Sequence, residues 1–535
     1  MNCSIWNVRS KYSAVLFACV MWLMMPSTID AVIIDSQVES PTLSVPPPEV
    51  YPATGNRSFA ILLCRFSDFA DGLKSASFYQ TAFDFQYPHI GHYWSEVSFG
   101  KLNIDSSQVY GWYTLPNPRA SYFDLAETNL TTQERTNLWN DCTAAADTQV
   151  DFTKHYGVIL VFEDWPSSKP RYGNWLRRTL EGQTRIWGMA YLSANDFSHS
   201  LATVKHEMGH TFSMSHSLGP NGAAYVNRWD IMSDTQSDCF VNPDANDSNY
   251  GCIGQHPLAY HKYSVGWFST EQVTTVHRGE TTSVAINNHE QSLPTDIQLV
   301  LLETAIDNKL YTIETRKRIG YDVKLPFSGV IIHTVQPDSF GQIQPRLIDG
   351  DNDGDLLDDA VVWVPGETYR NEKDEITICI ESITPSGYEI AVASVSTLSC
   401  NFEPRISLNH ARPNVIAYAG ETITITSSLK NTGIPVEPIH GVVTLPNPLT
   451  FVTESATIEI GQISFEEEKL TFDIGQIDSG DEISFTYAIN IPASYSHSMF
   501  ERILTTVDWP SGGFSSELTI AINPNVLFIP LIQNK

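Results

Sequence analysis

One stretch of the chain gathers metal-binding residue types at regular spacing: His206-Glu207-Met208-Gly209-His210-Thr211-Phe212-Ser213-Met214-Ser215-His216. On a helix, residues i and i+4 share a face, so His206 and His210 aim two imidazoles at one point. Glu207 lies beside them on the same helix. A chain that turns back after the helix adds His216 as a third nitrogen. Three protein ligands leave one position of a tetrahedral ion open, as a catalytic zinc requires. Zinc so held lowers the pKa of a bound water to about 7 and polarises a carbonyl. Glu207 is then placed as general base toward that water and as proton donor to a leaving amine. A bare HExxH also arises by chance, but the third histidine and the features downstream make chance a poor account.

The element that must position these groups is a helix over about Ser198 to Ser213. Leu201, Val204, Met208 and Phe212 fall at helical spacing and bury one face, with Lys205 turned away from them. The pattern resembles the metzincin motif HExxHxxGxxH with its later Met-turn. The turn is Trp229-Asp230-Ile231-Met232-Ser233, and Met232, 16 residues after His216, becomes the hydrophobic floor of the site. The chain departs from the motif at Ser213, which stands at the glycine position where the helix is left sharply. Tyr93 to Leu102 (YWSEVSFGKL) and Ala259 to Trp267 (AYHKYSVGW) resemble two further elements of secreted metallopeptidases related to immune inhibitor A and gametolysin. Val330 to Val335 and Trp363 to Thr368 resemble their following β region. The resemblance covers residues 55–398, and the third histidine is nearer the gametolysin pattern. It implies a secreted zinc endopeptidase acting on protein or peptide substrates. His199, His256 and His261 are expected to be structural.

A second cation site is suggested by Asp349-Gly350-Asp351-Asn352-Asp353-Gly354-Asp355. Alternate carboxylates at Asp349, Asp351, Asp353 and Asp355 suit calcium, with Gly354 at the sharp turn. The twelfth position, where a bidentate Glu belongs, is Ala360. A solvated acidic loop is the competing reading, and a calcium ion here would support structure rather than catalysis.

The 535 residues are 42% hydrophobic and 17% charged, enough apolar material for several cores. A formal net charge of −29 argues against nucleic-acid or anionic-membrane binding. Residues 1–31 read as a signal peptide, with Arg9 and Lys11 before an apolar run from Ala14 to Met25 and a cleavage point near Ala31. The run is short for a membrane span, so no span is expected after signal removal. Six cysteines remain in an exported chain and permit three disulfides. Cys239–Cys252 and Cys379–Cys400 are close in sequence, which leaves Cys64–Cys142.

The expected fold class is α+β and multidomain. A proline-rich linker over 32–54 precedes a metzincin-like zincin catalytic domain over 55–270. In it, strands at Phe59 to Phe66, Val158 to Phe162 and Ile186 to Leu192 alternate with helices. A β-rich accessory domain follows over 271–400. An immunoglobulin-like β-sandwich over 404–524 and a tail over 525–535 complete the chain. The sandwich resembles modules of bacterial surface proteins, which implies a spacer or a contact with the cell surface or matrix. The rival function is an adhesin that keeps a metal-binding domain but no activity. Both readings place the protein outside the cell.

Overall fold

The computed structural model describes residues 51–69, 74–235, 250–289, 295–339, 341–350, 361–395, 397–412, 414–466 and 469–524. The signal peptide, most of the proline-rich linker, Cys239, Asp351, Asp353, Asp355, Ala360 and the C-terminal tail lie outside the described residues. Among the described residues, no helix is long and apolar enough to cross a membrane.

The α+β, metzincin-headed expectation is corrected here. Among the described residues, strands take up 40% and helices 15%, and no metzincin-like zincin fold is evident. Helical periodicity around the metal motif identified a local element, not the topology around it. Helices are short: the longest two are α2, Thr132–Ala146, and α3, Leu201–Thr211. α1 spans Ile90–Val97. Phe99 and Gly100 then adopt φ of 58° and 73°, which stops it.

The N-terminal region is built on five strands: β1 (Phe59–Arg65), β2 (Gln108–Thr114), β3 (Gly157–Phe162), β4 (Tyr172–Leu180) and β5 (Gln183–Ser193). Their order is β2-β1-β3-β5-β4. All neighbours are parallel except the edge pair β5 and β4. β1 and β3 are buried along nearly their whole length, which is why they read as continuous apolar runs. One sheet face packs Ile61, Ile159 and Leu192 against Val204, Met208 and Phe212 of α3. The other packs Leu62, Leu160 and Tyr191 against Leu138 and Trp139 of α2. Cys64 and Cys142 form a disulfide that links β1 to α2.

After α4 (Ala259–Ser264) the chain is strand upon strand. A five-stranded sheet carries β6 (Val273–Val276), β8 (Leu299–Glu303), β9 (Leu310–Arg316), β10 (Gly329–Val335) and β11 (Arg346–Leu347). A four-stranded sheet carries β7 (Thr281–Asn287), β12 (Thr368–Asn371), β13 (Ile376–Thr384) and β14 (Gly387–Ala393). Val300, Ile313 and Ile332 of the first meet Ile286, Ile378 and Ile390 of the second in one core. Cys379 pairs with Cys400. From Ile406 onward, five- and six-stranded sheets share another core around Leu429, Phe472, Tyr487 and Ile503.

Candidate metal centre

α3 begins at Ser200, whose Oγ accepts from the Thr203 N–H at 3.2 Å. Capping of this kind satisfies an otherwise orphaned donor. The helix ends where Ser213 takes a φ of 75°, the left-handed conformation that the motif's glycine adopts freely. The Ser213 and Met214 N–H groups return to the carbonyls of His210 and Gly209 at 3.0 and 3.1 Å. This reversal carries the chain back along its own helix and delivers His216.

The three histidines meet. Their Nε2 atoms lie 3.2 Å (His206–His210), 3.2 Å (His206–His216) and 3.0 Å (His210–His216) apart. Nδ1 of His206 donates to the Ile231 carbonyl at 2.8 Å, and Nδ1 of His210 donates to the Met214 carbonyl at 2.8 Å. These bonds place the proton on Nδ1 and leave Nε2 as a bare lone pair. His206 and His210 therefore point two acceptors at each other, an arrangement that is repulsive without a cation between them. Zinc bound to imidazole nitrogens at about 2.0–2.1 Å sets neighbouring nitrogens roughly 3.3 Å apart, close to the spacing here. The donor set fits zinc. Burial lowers all three imidazoles' pKa values, that of His216 to about 4, which keeps them unprotonated.

Glu207 is buried on the β4 side of α3. The Gly173 N–H donates to its carboxylate. Gly173 has to be glycine, since a Cβ there would stand 2.0 Å from the Glu207 carbonyl oxygen. Burial first, and then the negative charge of Asp196, push the Glu207 carboxyl up to about 8, while Arg171 and the Gly173 N–H oppose the rise. Asp196 is held by Arg171 through Nε at 2.7 Å and Nη2 at 2.9 Å. Below the helix, Met232 is fully buried and its Sδ lies 2.4 Å from where a Cβ on Gly209 would stand. The Asp230 carboxylate supports this turn, accepting from the Met232 N–H at 3.1 Å and pairing with His261 at 3.2 Å.

Some residues behave differently from their sequence reading. Lys205 does not face solvent. It is fully buried, and its ammonium donates to the carbonyls of Pro88 at 3.1 Å and Ile253 at 2.7 Å. His261 faces Asp230 and His256 faces Glu96, and neither belongs to the metal-holding group. Asp349 is buried, but its three companions in the acidic loop lie outside the described residues. Among the described residues, the His206, His210 and His216 group alone has metal-holding geometry.

Sequence reasoning missed two residues. Gly173 lies on an unread edge strand. Tyr225 sits 58% exposed with a φ of 63°, its ring 5.0 Å from that of His216. The only sequence hint of Tyr225 was its place between His216 and the Met232 turn.

No family model and no curated protein matches the chain. Solved structures align with parts of it. A family 123 glycoside hydrolase from Clostridium perfringens is 10% identical over 22% of this chain and 27% of its own, with a TM-score of 0.16. The collagen-binding subdomain of the Enterococcus faecalis surface protein ACE is 11% identical over 24% of this chain and 99% of its own, with a TM-score of 0.16. The major pilin subunit BcpA of Bacillus cereus is 9% identical over 47% of this chain and 67% of its own, with a TM-score of 0.21. Likeness at this level assigns neither fold nor function.

Proposed function

We propose that the chain is a secreted zinc-dependent endopeptidase. The observation that carries the proposal is the convergence of three Nε2 lone pairs within 3.2 Å, one helical residue away from a buried carboxylate. His206, His210 and His216 are the residues that would hold the ion. Zinc bound there supplies Lewis acidity, polarising a peptide carbonyl and acidifying water. The Glu207 carboxyl, pushed up to about 8 with no ion beside it, would be drawn to its carboxylate form by the dication and would then accept the proton of the attacking water and return it to the leaving amine nitrogen. The Gly173 N–H fixes the carboxylate's direction, and Met232 excludes water from beneath the helix. The reading rests on this site and not on a family fold. Disulfides at Cys64–Cys142 and Cys379–Cys400 support an extracellular location.

The rival is an adhesive surface or matrix protein that holds a metal and cleaves nothing. Its support is the wholly β region from Ile406 onward, which contributes no residue to the metal cluster. One experiment separates the two. Zinc content and cleavage of unfolded casein are measured for the wild type and Glu207→Gln, with and without a chelator. Wild-type cleavage that the chelator stops, and that Glu207→Gln lowers by about 10³-fold or more with zinc retained, is expected. Undiminished cleavage by Glu207→Gln refutes the mechanism, and a zinc-loaded wild type that cuts nothing favours the adhesin.

A further inference from the structure

The segment that delivers His216 does not end in solvent. It continues into the five-stranded sheet. The Leu218 N–H donates to the Pro345 carbonyl at 2.8 Å, and the Leu347 N–H donates to the Leu218 carbonyl at 2.9 Å. Ser215 Oγ donates to the Ile343 carbonyl at 2.6 Å. The third ligand's loop is thereby fastened to residues 343–347, more than a hundred positions away in sequence.

A cleft of about 280 Å³ opens along this seam, lined by Leu218, Thr334, Gln336, Gln342, Gln344 and Arg346 among others. Leu218, two residues beyond His216, forms its inner wall. Three carboxamides offer donors and acceptors, and Arg346 offers a guanidinium. Two other charged residues line the cleft, and both are engaged. Lys309 pairs with Asp374 at 2.6 Å. Asp338 turns Oδ1 onto the Gln342 N–H at 2.9 Å within its own turn. Among the described residues, no carboxylate lies within ion-pair distance of Arg346. Its guanidinium rests instead against Gly222, where a Cβ would stand 3.1 Å from Nη2. Gly222 has a φ of 77° and belongs to the tight hairpin closed by Leu218 and Ala224.

An exposed Arg whose guanidinium lies against a backbone wall and lines a polar cleft suits bidentate recognition of a carboxylate. In a chain of net charge −29, an acidic ligand is repelled elsewhere on the surface, so the local cation has to carry the attraction. We infer that the cleft beside Leu218 is a substrate subsite in which Arg346 binds a carboxylate of the peptide, supplied by an Asp or Glu side chain or by the peptide's C-terminus. The inference rests on the peptidase reading for its meaning but is tested by binding alone.

The probe is a fluorescein-labelled Gly/Ser-rich peptide with one Glu, followed by anisotropy on full-length Glu207→Gln, which cannot consume it. Controls replace Glu by Gln and the terminal acid by an amide, so the two carboxylate sources are read separately. Binding is expected to weaken by about tenfold when the responsible carboxylate is removed, and equally in Arg346→Met. Arg346→Lys should recover part of the loss, which guards against a folding defect in the Met variant. Equal binding by Glu and Gln peptides with both termini, or unchanged binding by Arg346→Met, overturns the subsite. Mapping of casein fragments cut by the wild type and Arg346→Met then shows whether acidic residues lose their enrichment at a fixed position from the cut. A wild type that binds the acidic peptide through Arg346 yet cuts nothing would sink the peptidase reading and leave the subsite standing.

Discussion

Ser213 holds a backbone conformation that is uncomfortable for any residue with a side chain. At φ 75° it sits where an L-residue costs about 1 kcal/mol more than glycine. Ser213→Gly removes that cost but loosens the unfolded chain by about 0.4–1 kcal/mol, so the net gain is expected to be about 0.5 kcal/mol or less. Urea unfolding should show a higher midpoint with zinc stoichiometry unchanged. A midpoint at or below the wild type would mean that the serine is not strained. The identity of this residue was legible in the sequence as a departure from the motif, and so were the three histidines, because i and i+4 spacing is a local rule. Gly173 and Tyr225 were not legible. Their roles depend on contacts with Glu207 and His216 that only the folded chain creates.

At the scale of elements, the strand that touches the site was among those missed, as was β2 at the opposite edge of the same sheet. β4 reads YGNWLRRTL, with Arg177 and Arg178 in its middle and no alternating apolar stripe. As a half-exposed edge it buries too little apolar surface to mark itself, whereas the buried β1 and β3 were plain apolar runs. The helix α2 shows the opposite case, a strong local signal with a long-range partner. Thr131 and Glu134 form a capping box, and the Glu134 carboxylate also pairs with the buried Lys169 ammonium at 2.8 Å. Burial pushes the Glu134 carboxyl up, but the bonds from Lys169, Thr131 and Asp124 outweigh it and hold it below its ordinary value. A carboxylate depressed by folding contributes stability that is complete above its unfolded pKa of about 4.3 and is lost as pH falls below that. Glu134→Gln leaves a buried cation unpaired and should cost about 3 kcal/mol at pH 7. The gap between wild-type and variant urea midpoints should narrow between pH 5 and pH 3. A gap that stays constant over that range would show that the pair does not carry the effect.

The whole molecule is where sequence reading went furthest astray. Alternating strands and helices ahead of the motif, with the motif itself, led to an α+β expectation with a metzincin-like head, while the strands that dominate the chain are spread over three regions. Periodicity reports which face of an element is buried, and it is silent about how many sheets share a core. The metal centre nevertheless draws on distant parts of the sequence. Its helix packs on β4 and β5, its turn is held by Asp230 and His261, and its last ligand is tied to residues 343–347. Among the described residues, the bonds that tie the third ligand's loop down reach no further along the chain than Leu347. The region from Ile406 meets the preceding sheets at a seam of polar and apolar contacts: Arg405 pairs with Glu389 at 2.6 Å, the Ile383 N–H donates to the Thr432 carbonyl at 2.7 Å, and the side chains of Ile383 and Ile434 lie against Gly480 and Gly366. Removing everything after residue 402 keeps Cys400 with Cys379 and exposes that seam. The shortened chain is expected to bind one zinc per molecule and to cut unfolded casein within about twofold of full length. Metal analysis and fragment mapping on both lengths check this. Loss of zinc together with cleavage would show that the C-terminal sheets brace the centre. Loss of cleavage alone, with zinc retained, would mean that they hold the substrate, and the boundary between catalytic and binding parts would then have to be redrawn across the Arg405–Glu389 seam.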